Sequence, residues 1–201
     1  MKTRSPLLIS ALATLGLAAL VARADAKKPA PPAAAPPAAA GNGFQTDFLG
    51  LVDDLQKKVL SLEDAIPQDK FKWRPAPGVR SISEAFLHIA YANYGLTKGA
   101  TGKVPPADIG WDGDRAKWDV KTTDKAQIKQ TLEKSFDHVR ATMKDVQDVD
   151  LDKKVNLFGH EMSERAVFML LLGHINEHLG QEVAYARANG VVPPWSMAKG
   201  G

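Results

Sequence analysis

Four stretches of this chain repeat apolar residues at steps of three and four, and no other sequence feature constrains the fold so strongly. That period belongs to a helix with one buried face. The first stretch runs through Phe44, Phe48, Leu51, Val52, Leu55, Val59, Leu62 and Ile66, and Pro67 stops it. The second follows the turn Arg74-Pro75-Ala76-Pro77-Gly78. Ser81 with Glu84 three residues later has the capping-box pattern, and Ile82, Ala85, Phe86, Ile89, Ala90 and Asn93 keep helical spacing behind it. The third is announced by Thr123-Asp124 and reads Ile128, Leu132, Phe136, Val139, Met143, Val146. The fourth runs from about Ser163 to Asn189, with Gly190 as its stop signal and Pro193-Pro194 beyond. Four helices of roughly twenty residues, each with one apolar face, pack naturally as a four-helix bundle. The expected class is therefore all-α, with the domain spanning residues 44–197 and residues 198–201 as a disordered tail.

The first 43 residues have a different character. Lys2 and Arg4 precede an apolar run from Leu7 to Val21, and Ala22-Arg23-Ala24 and Ala24-Asp25-Ala26 follow as overlapping cleavage patterns. This layout predicts a signal peptide over residues 1–24 and a periplasmic or secreted protein. The run is shorter than the roughly 20 residues a membrane span needs, so no anchor is expected after cleavage. From Lys27 to Gly43 the chain is almost entirely Ala and Pro, which makes residues 25–43 a disordered, semi-rigid linker. With no cysteine in the chain, neither a disulfide nor a lipid attachment at the cleavage site is available. The net charge is +3, from 26 Lys+Arg against 23 Asp+Glu. Cleavage after Ala24 removes Lys2, Arg4 and Arg23, so 26 − 3 = 23 and the mature chain is balanced. It has no basic stripe, which argues against nucleic acid as a partner.

Between the second and third helices, the stretch from about Gly99 to Thr122 is long for a connection, and lids and binding loops are the usual reason. Asp112 and Asp114 within it lack the glycine and terminal glutamate of a calcium loop. No alternating segment is longer than the short stretch from Lys154 to Phe158.

His174 and His178 are four apart on the fourth helix, hence on one face and one turn apart. Val167, Gln181 and Tyr185 fall close to the midpoint between them on the helical wheel. Such a pair can reach one ion at about 2.0–2.1 Å without straining the backbone. Spacing alone leaves a second reading open, two hydrogen-bonded core histidines. His88 favours the metal, because it keeps the core-facing spacing of the second helix, and bundles build metal sites from facing helices. His138, at the edge of the third helix among Lys134, Asp137 and Arg140, reads as solvated. His160 reads as part of a surface turn before the fourth helix. The pattern H-x-x-E-H also fits His174 to His178 with Glu177 as base. However, Glu177 points about 80° away from the histidine midpoint, and no carboxylate on a later helix is available as third ligand.

The ordered set Phe71-Lys72-Trp73-Arg74-Pro75, Ser81-Ile82-Ser83-Glu84 leading to His88, His174 with His178, Gly180-Gln181, Tyr185-Ala186-Arg187, Gly190 and Pro193-Pro194-Trp195-Ser196 resembles the DinB-like superfamily, which includes the YfiT-type metal-dependent hydrolases. The resemblance implies a four-helix bundle, often dimeric. It also implies a divalent metal on one histidine of the second helix and two of the fourth, here His88, His174 and His178. Similar proteins include thiol-cofactor S-transferases and a mycothiol-dependent maleylpyruvate isomerase, which are cytoplasmic. The expected function is thus an exported metal-dependent hydrolase or transferase acting on an unknown small molecule. The alternative is a non-enzymatic envelope protein with a structural or metal-binding site. Asn93, Gln181 and Tyr185 are candidates to support the ligands. Zinc, nickel, iron or copper would suit three imidazoles.

Overall fold

The computed structural model describes residues 43–197, so the expected signal peptide, the linker up to residue 42 and the tail lie outside the described residues. Four long helices carry the fold: α1 (Gly43–Ala65), α2 (Ile82–Thr101), α4 (Lys125–Met143) and α5 (Glu164–Ala188). A short α3 (Arg115–Asp119) interrupts the connection between α2 and α4. A hairpin of β1 (Lys154–Leu157) and β2 (His160–Ser163) precedes α5, with Leu157 opposite His160 at its end. Gly43, expected in the linker, instead opens α1. Among the described residues no helix is long and apolar enough to cross a membrane.

The expected start and stop signals operate as chemistry. Ser81 Oγ accepts from the Glu84 backbone N–H while the Glu84 carboxylate accepts from that of Ser81, so two of the first orphan donors of α2 are satisfied. The chain just before supplies more: Ile82 N–H donates to the Trp73 carbonyl and Ser83 N–H to that of Phe71. The Phe71-Lys72-Trp73 segment therefore fixes where α2 begins, and His88 follows less than two turns later. Asp124 caps α4 and Ser163 caps α5 through their side chains. Gly190, just past α5, has a φ of +77°, a conformation natural to glycine at a helix end.

The core lies around α2. This helix buries residues on every side, including Ile82, Phe86, Leu87, Ile89, Tyr94 and Leu96, as a helix enclosed by its neighbours should. It packs chiefly on α5 and α4, with α3 against a third side. α1 packs on α4 and α5 instead, through one amphipathic face that buries Phe48, Val52, Leu55, Val59 and Leu62. The hairpin approaches α2 at Gly99, where an added Cβ would stand 2.6 Å from Leu157 Cδ1. A residue without a side chain thus lets β1 settle beside the upper half of α2. His88 is consequently held on the most enclosed helix of the fold, facing α5 and α3.

Candidate metal centre

α2 and α5 bring His88, His174 and His178 into one cluster whose candidate ligand atoms all lie within 4.8 Å of one another. Nε2 of His88 and Nε2 of His174 are 3.3 Å apart. Two nitrogens each about 2.0–2.1 Å from one tetrahedral ion stand roughly 3.3–3.4 Å apart, so this spacing suits shared coordination. His88 and His178 are buried and His174 is half-buried. Burial, followed by the neighbouring imidazoles, pushes the His174 pKa down to about 3, and burial also lowers that of His178. At neutral pH these two rings therefore keep the lone pairs a metal ligand requires.

The outward-facing nitrogens are held by a second layer of residues. Nδ1 of His88 lies 3.2 Å from Asp119 Oδ1, at the end of α3. Arg80 donates from Nε to the other carboxylate oxygen of Asp119 at 3.0 Å. Burial opposes ionisation of Asp119, but the hydrogen bonds and charges of His88 and Arg80 hold its carboxyl below the usual range. Nδ1 of His178 is 2.8 Å from Gln181 Oε1, and Gln181 donates from Nε2 to the Tyr185 hydroxyl at 2.7 Å. The Tyr185 ring meets Trp73 edge-on at 5.4 Å, tying this relay to the segment that starts α2. A carboxylate and an amide oxygen thus each receive an N–H from a histidine, fix its tautomer and leave Nε2 free. His174 differs, since its buried Nδ1 has no hydrogen-bond partner among the described residues.

Beside the cluster lies a cavity of about 570 Å³, with His88 and His174 both in its wall. Its other walls come from α2, from the segment after it, from the hairpin tip and from α5. Tyr91 donates its hydroxyl hydrogen to the Gly113 carbonyl, and Trp111 lies against the bare backbone of Gly95. The long connection after α2 is therefore a wall of the site.

Gln181 and Tyr185 stand where the helical wheel put them. Asn93 does not reach the histidines: it donates to Ser135 Oγ at 3.0 Å and ties α2 to α4. His138, expected to be solvated, is only 7 % exposed. Its ring lies tilted against that of Tyr94, with centroids 5.2 Å apart, and it shares a cavity wall with Val104, Pro106 and Ile109, so the connection after α2 shields an edge of α4 that the wheel alone leaves open. His160 is exposed on β2, and Glu177 is exposed on α5, away from any role as base. Asp114 caps α3, and both Asp112 and Asp114 pair with Lys117, which accounts for them without calcium. Sequence reasoning missed Asp119 and Arg80. Their only signal was position in an overlong connection and in the turn before α2.

A family model of the DinB superfamily matches residues 51–181. Among solved structures, a DinB-like protein from Bacillus cereus superposes with a TM-score of 0.64 at 21 % identity, covering 74 % of this chain and 95 % of that one. A DinB-like protein from Bacillus subtilis gives a TM-score of 0.56 at 19 % identity, covering 72 % and 92 %. No curated protein matches the chain.

Proposed function

The chain belongs to the DinB superfamily, and from that premise we propose that it is an exported, metal-dependent hydrolase or transferase whose divalent ion is held by His88, His174 and His178. The observation that carries this reading is the position of His88 and His174 in the wall of a substrate-sized cavity. A structural metal site is closed by protein ligands, whereas a three-histidine site beside a cavity keeps positions open for a reactant.

The residues fit such an ion by donor chemistry. Three imidazoles converge, and two of them have their far nitrogens engaged by Asp119 and Gln181. The ion would supply a Lewis acid that polarises a carbonyl or activates water or a thiol. The chain's own contribution is orientation. Asp119 accepts the Nδ1 proton of His88, Arg80 keeps Asp119 ionised, and Gln181 passes the hold on His178 back to Tyr185. Trp111 and Tyr91 shape the wall that positions a reactant.

A screen of the metal-loaded protein against ester, amide and thiol substrates tests the enzymatic part. Turnover that vanishes on chelation and returns with added metal supports it. Turnover indifferent to chelator and to His174→Ala would count against it.

A further inference from the structure

We infer that the cavity beside the histidines binds a small molecule with a flat apolar body and one anionic group, the anion being received by Arg115 and the body by Trp111, Tyr91 and Phe158. The inference rests on the proposed function only in treating this cavity as the substrate site. It names the substrate class.

Three observations meet here. The first is charge. Two arginines line the cavity, but only one is free to take an external anion. Arg80 is committed to Asp119 through its Nε. Arg115, exposed at the start of α3, forms no ion pair among the described residues, while its neighbours Asp112 and Asp114 are taken by Lys117. An unpaired guanidinium in the wall of a mostly apolar cleft offers planar, two-pronged recognition to a carboxylate or a similar oxyanion.

The second is shape. Trp111 rests on Gly95, with its ring centre 5.5 Å from that of Tyr91, so two aromatic rings form one side of the cavity. Leu157 contributes from the hairpin. Such walls favour a flat apolar body.

The third is the tip of the hairpin. Phe158 and Gly159 form its two-residue turn, with φ of +54° and +82°. The first of those positions favours Asn, Asp or Gly, because a side chain in the left-handed region is strained. A phenylalanine there opposes local propensity, and the residue is 80 % exposed although it lines the cavity. Neither the turn nor the core has a use for it. Strain retained at the rim of a cleft is what a ligand contact accounts for.

The test is calorimetric titration of the folded protein with 4-phenylbutyrate, 4-phenylbutanol and butyrate. Each is run on metal-loaded and on chelator-stripped protein, because a carboxylate can also bind an ion directly. In both forms the phenyl acid should bind about tenfold or more tighter than the alcohol, and tighter than butyrate. Arg115→Gln should erase the preference for acid over alcohol while leaving alcohol affinity unchanged. Phe158→Asn should weaken acid and alcohol alike by several-fold while raising the unfolding temperature, a pair of effects that misfolding cannot produce. Equal binding of acid and alcohol by stripped protein, a preference that survives Arg115→Gln, unaltered affinity in Phe158→Asn, or no binding of the acid at millimolar concentration would each overturn the inference. The two readings fail separately. A protein that takes up no metal yet shows the Arg115-dependent preference contradicts the metal and leaves this inference standing. A protein that binds metal but lacks the preference does the reverse.

Discussion

Nδ1 of His88 faces two groups at the same distance of 3.2 Å, the Asp119 carboxylate and the Arg80 guanidinium, and only the first can take its proton. Arginine has no acceptor, so a hydrogen bond from Arg80 would require a bare Nδ1 and put the proton on Nε2, where it would block a metal. The ionised Asp119 resolves the contest, because a charge-assisted bond from Nδ1–H is the stronger of the two. Arg80 is already satisfied by the other carboxylate oxygen.

Asp119→Asn therefore removes the group that sets the His88 tautomer without altering its size. Metal affinity should fall about 10–100-fold, the usual effect of losing such a partner. Competition with a chromophoric chelator measures it, and circular dichroism should be unchanged. An affinity equal to wild type would show that Asp119 does not orient His88.

Tyr185→Phe cuts the relay behind His178 at its outer end, leaving the Gln181 amide without an acceptor. The loss of one partly buried hydrogen bond should cost about 0.5–1.5 kcal/mol of stability. Because Gln181 then holds His178 less firmly, metal affinity should fall as well, by less than in Gln181→Leu. Chemical denaturation and the same chelator competition read the two effects.

Glu63 is fully buried on α1, and neither carboxylate oxygen has a hydrogen-bond partner among the described residues. Burial is the main cause that raises its pKa from the ordinary 4.5 to about 7. A carboxyl with a raised folded-state pKa favours the fold in its protonated form. Its contribution is intact below pH 4.5 and is lost as pH rises through 7. Compared with Glu63→Gln, wild-type stability should decline by roughly 2–3 kcal/mol across that window. Parallel stability curves for the two proteins from pH 4.5 to 8 would refute this.

His138 acts in the opposite pH direction. Burial lowers its pKa below the ordinary 6.5, so the unfolded chain binds the proton more readily. Stability is lost as pH falls through 6.5. His138→Leu should flatten that acid-side loss, as measured by urea denaturation between pH 5 and 7.5. A slope unchanged by the substitution would mean that other groups cause it.

The contrast between His178 and Asp119 shows how far the sequence can be read. The helical period places His178 on an interior face, and Gln181 and Tyr185 follow from the same wheel, because one helix carries all three. Ser81 and Glu84 are legible for the same reason, being a local hydrogen-bond pattern. Asp119 comes from a connection with no period, and its approach to His88 depends on where α3 docks on α2. His138 is misjudged because the connection after α2 shields the edge of α4, which nothing within α4 announces. Glu182 defeats the usual rule for charges. It is fully buried on α5 with no hydrogen-bond partner among the described residues, and burial alone raises its pKa well above the ordinary value. The hairpin tip is half legible: the alternation from Lys154 is visible, but not that Phe158 reaches the cavity.

The central claim is that three histidines from two helices hold one ion. Its most direct test is the metal content of the purified protein, reconstituted with zinc and then dialysed, for the wild type, His88→Ala, His174→Ala and His178→Ala. Close to one ion per chain is expected in the wild type, with a loss of most of it in every variant. Equal metal content in the wild type and in the His88→Ala protein, both folded, would contradict it.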